Sequence, residues 1–190
     1  MSKDSKLIAP SPTGEANVLP TNQQTNKPIT ILGLDPGLAD MGWGIIENDK
    51  GTCKMLGYGS IQTPAKQDFI YRLLTIKQEL TKLIKTYHPT IAGVEELFFA
   101  KNTKTALLVA QARGVALSVL ADNDLKIFEA TPLEIKMSLA GYGRASKDQI
   151  GKMVMTILKL KTMPKPDDAA DALAVAITAA HSIKMLDKQK

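Results

Sequence analysis

The chain has a single cysteine, Cys53, so neither an internal disulfide nor a cysteine-based zinc site is available to it. A reduced, intracellular setting fits that scarcity. Its only histidines, His88 and His181, show no metal-ligand spacing and read as structural. Arginine is nearly missing: Arg72, Arg113 and Arg144 are the full set, and lysine supplies almost all the positive charge. No apolar run is long enough to cross a bilayer uninterrupted, so no membrane role is expected. Residues 1–27 have little to bury, being rich in Ser, Thr, Asn, Gln and Pro, and read as a disordered tail. That segment lacks the apolar centre of a signal peptide and the arginines of a transit peptide.

What remains is ample for one domain. Of 190 residues, 44% are apolar, and the formal charge is +5. The sequence pI of about 9.2 suits an anionic partner such as nucleic acid.

The hydrophobic pattern predicts five strands and five helices. Residues 29–34, 41–48 and 53–62 read as strands, the last two joined by a turn at Asn48–Gly51. An amphipathic helix is expected over 66–87, a strand over 90–96, and a long Ala/Leu/Val-rich helix from a cap at Asn102 to about Ala121. A fifth strand covers 125–130. Thr131-Pro132-Leu133-Glu134 and Ser146-Lys147-Asp148-Gln149 are capping boxes that open two further helices. The last helix is expected from about Asp167 to Lys184. The order βββαβαβααα implies an α/β fold with a mixed five-stranded sheet: an antiparallel hairpin unit, then parallel strands, with helices on the faces.

Four acids stand out against this frame. Asp35 ends the first strand, Glu95 ends the fourth, and Asp168 and Asp171 open the last helix on one face. Carboxylates in or beside core elements are unfavourable unless paired or bound to a cation. Several converging on one point suit magnesium or manganese, which prefer oxygen ligands. Each acid has a plainer reading: a turn for Asp-Pro-Gly, solvent for Glu95, and the helix dipole for Asp168 and Asp171. Glu96 should face away from Glu95, and Asp167 should serve as a cap or dipole partner. Gly42 and Gly44 keep the second strand small near Asp35, and Ala169, Ala170, Ala172 and Ala174 let the last helix lie close to the sheet.

Phe98 and Phe99 next to Lys101 and Lys104 suit base stacking beside a basic surface. Lys136 and Lys147 flank Gly141-Tyr142-Gly143-Arg144, a loop suited to a backbone phosphate.

Taken together, ILGLDPG…GWGII, GVEELFFAKNTKTALLVAQARGVAL, GYGRASKDQI and PDDAADALAVAI closely resemble the bacterial Holliday junction resolvases of the RuvC family, across about residues 29–183. The resemblance implies a ribonuclease H-like fold over 28–186, with a short tail at 187–190. It implies a homodimer that nicks two symmetric strands of a four-way DNA junction in recombination and repair, acting with the branch-migration proteins RuvA and RuvB in the bacterial cytoplasm at the nucleoid. It implies magnesium as the cofactor, two ions per site, with manganese as a substitute. The family's catalytic, metal-binding acids match Asp35, Glu95, Asp168 and Asp171, its junction-stacking phenylalanine matches Phe98, and two lysines near the cleaved strand match Lys136 and Lys147. Two departures are the length of the 1–27 tail and Asp40-Met41, where small or hydroxylated residues are commoner; Asp40 adds negative charge near the DNA face.

Other readings compete. A ribonuclease H-like nuclease could act on an RNA–DNA hybrid as a monomer. An actin-like ATPase would need a second lobe that 190 residues do not allow. A DNA-binding module without catalysis would not keep four acids where lysines bind better.

Overall fold

A computed structural model describes residues 27–97 and 103–188. All but the last residue of the expected 1–27 tail, the Asn102 cap, Phe98, Phe99 and Lys101 lie outside the described residues. The strands are β1 (Ile29–Asp35), β2 (Asp40–Asp49), β3 (Thr52–Gln62), β4 (Ile91–Glu95) and β5 (Lys126–Ala130). The helices are α1 (Phe69–Tyr87), α2 (Thr103–Asp122), α3 (Pro132–Ala140), α4 (Lys147–Leu158) and α5 (Asp167–Lys188).

The strands form one sheet in the order β3-β2-β1-β4-β5. β1, β2 and β3 pair antiparallel, whereas β4 is parallel to both β1 and β5. The β2–β3 turn passes through Lys50 and Gly51, both at positive φ, with Asn48 Oδ1 accepting the Gly51 N–H at 3.0 Å. That backbone form matches the twist of a tight hairpin.

Alternation along β1 divides the core in two. Ile29 and Ile31 join the cluster built around α5, while Leu32 and Leu34 join the one under α1 and α2. α3 and α4 pack on the outer side of α5. The layers are therefore α1/α2, sheet, α5, then α3/α4. A helix held between two layers needs apolar residues all round, and Ala169, Ala170 and 172–180 of α5 are buried.

Two boundaries and the placing of one side chain differ from the sequence pattern. α1 starts at Phe69 rather than 66, because Asp68 caps it, its side chain accepting the Ile70 N–H at 2.9 Å. α5 continues to Lys188. Met41 is fully buried under α1 and α2, so Asp40 alone adds to the polar rim. Residues 40 and 41 face opposite sides of β2, which is why they part. By length and composition Thr105–Asp122 of α2 is apolar enough to cross a membrane. It carries Arg113 mid-helix, ion-paired to Glu129, and buries Ala112, Ala116, Val119 and Leu120 in the core.

Candidate active site

β1 and β4 run side by side, with Leu34 opposite Val94. The next residue of each strand is an acid on the α5 side: Asp35 follows Ile31 and Gly33, and Glu95 follows Ile91 and Gly93. Their side chains share a hydrogen bond. Glu96 faces away and is exposed, its N–H donating to the Ala130 carbonyl at 2.8 Å.

The other two acids arrive on α5, and small residues govern how closely. Gly42 lies opposite Asp35 in the sheet. A Cβ on Gly42 would stand 2.0 Å from the carbonyl oxygen of Asp168. A Cβ on Gly33 would stand 2.0 Å from the carbonyl oxygen of Ala172. Only glycine allows this approach, and it lowers the first turn of α5 onto the ends of β1 and β2. One carboxylate oxygen from each of Asp35, Asp168 and Asp171 then lies within 4.8 Å of the others.

The electrostatics are strained. Burial raises the Asp35 carboxyl from 3.8 to about 7, helped by the charges of Glu95, Asp171 and Asp168. Burial also raises Glu95, with Asp171 next in effect. Asp168 is raised by burial and then by the charge of Asp40. Such a group of half-buried carboxylates holds together best around a cation. The donor set is all oxygen, which fits a hard divalent ion and not a thiophilic one.

One counter-charge is built in. Lys147 Nζ lies 2.8 Å from Asp171 Oδ2 and 4.0 Å from Asp167 Oδ2. Its hydrogen bond to Asp171 raises its own proton affinity. Lys147 is the first residue of α4, fixed by a capping box in which Ser146 Oγ accepts from Gln149 N at 3.2 Å and Gln149 Oε1 accepts from Ser146 N at 2.8 Å. Lys136 comes from α3, whose box pairs Thr131 with Glu134 in the same way. Glu95, Pro132, Lys136, Lys147 and Asp171 line one cleft of about 200 Å³.

The family model described as crossover junction endodeoxyribonuclease RuvC matches residues 31–179. The chain belongs to the RuvC family. Among curated RuvC proteins, that of Alkaliphilus oremlandii is 53% identical over 152 residues, covering 80% of this chain and 93% of the relative. That of Clostridioides difficile is 49% identical over 155 residues, covering 82% and 92%. The solved structure of Thermus thermophilus RuvC in complex with Holliday junction substrate superimposes with a TM-score of 0.79 at 29% identity, covering 83% of this chain and 96% of that one. The ribonuclease H-like fold is thus the RuvC fold. The yeast mitochondrial Holliday junction resolvase Ydc2 shares the fold alone, with a TM-score of 0.61 at 12% identity.

Set on this RuvC frame, all four acids expected from the sequence converge, and Lys136 and Lys147 reach the cleft beside them. Arg144 is exposed on the loop between α3 and α4, next to Tyr142, which is also exposed. His88 ends α1 in a left-handed cap, and His181 bonds Ser138 Oγ at 3.0 Å, so both have structural places. Sequence reasoning missed Arg72, which holds the loop beside Asp35. Its Nε donates to Thr63 Oγ1 at 2.8 Å, and Thr63 in turn bonds the Leu38 and Ala39 carbonyls. A pairing between the end of β3 and the first turn of α1 leaves no periodic mark in the sequence.

Proposed function

We propose that this chain is a crossover junction endodeoxyribonuclease that resolves four-way DNA junctions by paired, symmetric, metal-dependent hydrolysis of phosphodiesters. The observation that carries it is the meeting of Asp35, Asp168 and Asp171 within 4.8 Å, flanked by Lys147, on the fold of a RuvC bound to junction DNA. The cofactor is magnesium, two ions per site, with manganese able to replace it. Bound divalent ions stabilise charge at phosphorus and help both the attacking water and the leaving oxygen.

The chain's own groups divide the remaining work. Asp35, on the central strand, would be the central metal ligand. Glu95 and Asp168 would each help hold metal, and Asp171 would hold metal or orient water. Lys147 turns from Asp171 to the scissile phosphate and offsets its charge. Lys136 and Arg144 hold the phosphates on either side, with Lys101, and Phe98 stacks on a base at the branch point.

Two active sites are needed for two symmetric cuts, so the working form is a homodimer. α2 supports it by leaving Leu107 and Leu108 exposed on a helix whose other side is buried. The partners are junction DNA, RuvA and RuvB, and the setting is the cytoplasm of a bacterium, at the nucleoid.

The test is cleavage of a synthetic four-way junction with magnesium, beside a linear duplex and an RNA–DNA hybrid. Paired symmetric nicks in the junction alone are expected. Cutting of the hybrid alone would replace this reading with that of a hybrid-directed ribonuclease.

A further inference from the structure

Of the two acids in the first turn of α5, Asp168 belongs to the metal-binding group and Asp167 does not. Asp167 lies one turn before Asp171, and residues four apart on a helix stand side by side on one face. Two carboxylates so placed repel unless a cation lies between them. Here the cation is Lys147, whose Nζ stands 2.8 Å from Asp171 Oδ2 and 4.0 Å from Asp167 Oδ2.

Lys147 and Asp171 form a partition between two hollows. On one side is the cleft with Glu95 and Lys136. On the other is a hollow of about 370 Å³ whose wall includes Asp148, Met163 and Asp167. That second hollow offers the Lys147 ammonium three carboxylates. Asp171 is needed by the cation site. Asp148 is taken, its Oδ2 lying 2.6 Å from Lys152 Nζ. Asp167 has no other ion pair among the described residues. It is therefore the group left to hold Lys147 when Asp171 turns to a divalent ion.

Holding matters because Lys147 is long and largely exposed. A free lysine side chain spreads over many rotamers, and fixing it at one point costs entropy. An ammonium has three N–H donors. With one directed to Asp167, two remain for phosphate oxygens. The ion pair adds little to stability, since both groups are open to solvent. Its effect falls on where the ammonium rests.

We propose that Asp167 is a positioning residue: it keeps the Lys147 ammonium at the rim of the acid cluster once Asp171 is given to a divalent ion, so that the ammonium is in place for the scissile phosphate. The inference rests on the junction-cleaving function proposed above and adds to it a second carboxylate that steers its lysine.

The experiment uses the full chain as wild type, Asp167→Asn, Asp167→Glu, Lys147→Ala and the double variant Asp167→Asn with Lys147→Ala. Thermal melting establishes that each is folded. Proton-detected NMR of the lysine ammonium groups, with the Lys147 signal assigned by its loss in Lys147→Ala, gives a readout without cleavage. In saturating calcium, wild type should keep a restrained Lys147 signal, and Asp167→Asn should show it averaged like those of the free lysines.

Single-turnover nicking of a saturating four-way junction in magnesium gives the second readout. Loss of a negative charge beside DNA would by itself strengthen binding and speed the reaction. Asp167→Asn should instead slow nicking by about three- to fivefold, with junction affinity equal to wild type or tighter. Asp167→Glu should recover the rate to within about twofold of wild type, and in the Lys147→Ala background Asp167→Asn should change the rate by less than about 1.5-fold. A calcium-loaded Asp167→Asn whose Lys147 signal matches wild type would overturn the role of Asp167 while leaving the resolvase function standing. So would a nicking rate that does not fall, or one that falls as much when Lys147 is absent. Wild type that cuts no junction would remove the function itself, and the inference with it.

Discussion

Lys147 and Asp171 form an ion pair, Nζ to Oδ2 at 2.8 Å, inside the group of acids that would bind a cation. An ammonium and a divalent ion compete for the same carboxylate. Lys147→Ala should therefore bind calcium more tightly in the absence of DNA, by about two- to fivefold given that Lys147 is largely exposed. The same variant should nick junctions more slowly with magnesium, because the phosphate loses its counter-charge. Calorimetric titration with calcium reads the first effect, and equal affinity in the two proteins would refute the competition.

Asp35 holds the most buried position of the four acids, at the end of the central strand. Asp35→Asn should lower nicking by roughly a hundredfold or more. Junction affinity should stay within about threefold of wild type, since binding comes from lysines, arginine and shape. Gel-shift and cleavage assays on one junction separate the two quantities. Cleavage at the wild-type rate would remove Asp35 from its central role.

The same residue makes stability depend on pH. Its carboxyl rises from 3.8 to about 7 on folding, mainly through burial. The folded state thus binds this proton more tightly than the unfolded one. The contribution is fully present below about pH 3.8 and is lost as pH climbs through about 7. A rise of that size corresponds to roughly 4 kcal/mol at most. Metal-free protein should melt at a lower temperature at pH 8 than at pH 5.5, and Asp35→Asn should remove much of that difference. A divalent ion at pH 8 should restore stability to the wild type and little to the variant. Calorimetry with and without the ion tests all three.

Gly42→Ala probes the contact that brings α5 down. Its Cβ would lie 2.0 Å from the Asp168 carbonyl oxygen, and backbone must shift to admit it. A loss of about 1–3 kcal/mol in urea unfolding is expected. Nicking should fall further than that loss explains, because the displaced turn carries two of the four acids. A variant with the wild-type melting temperature and rate would show that the approach is not needed.

Much of this was legible in the chain. Alternation placed Asp35 and Glu95 on strand ends, and capping boxes placed Lys136 and Lys147, because both signals are local and periodic. The glycines and alanines that let α5 approach were also visible, as small residues at suspicious positions. The start of α1 was misjudged since Asp68 caps from a site that hydrophobic spacing does not mark. Arg72 and Thr63 were missed because their contact joins two elements through polar side chains, and no spacing rule announces such a pair. Asp40 and Met41 were taken together, although adjacent residues of a strand must part to opposite faces.

The position of α5 between two layers has a further meaning. Two of the four acids ride on the element at the centre of the core on one side of the sheet, packed against the strands on one flank and α3 and α4 on the other. Local fraying cannot free it, so its amide protons should exchange with solvent only when the whole molecule opens. A nuclease built this way keeps its capacity to break DNA only while α5 stays packed between the sheet and the outer helices.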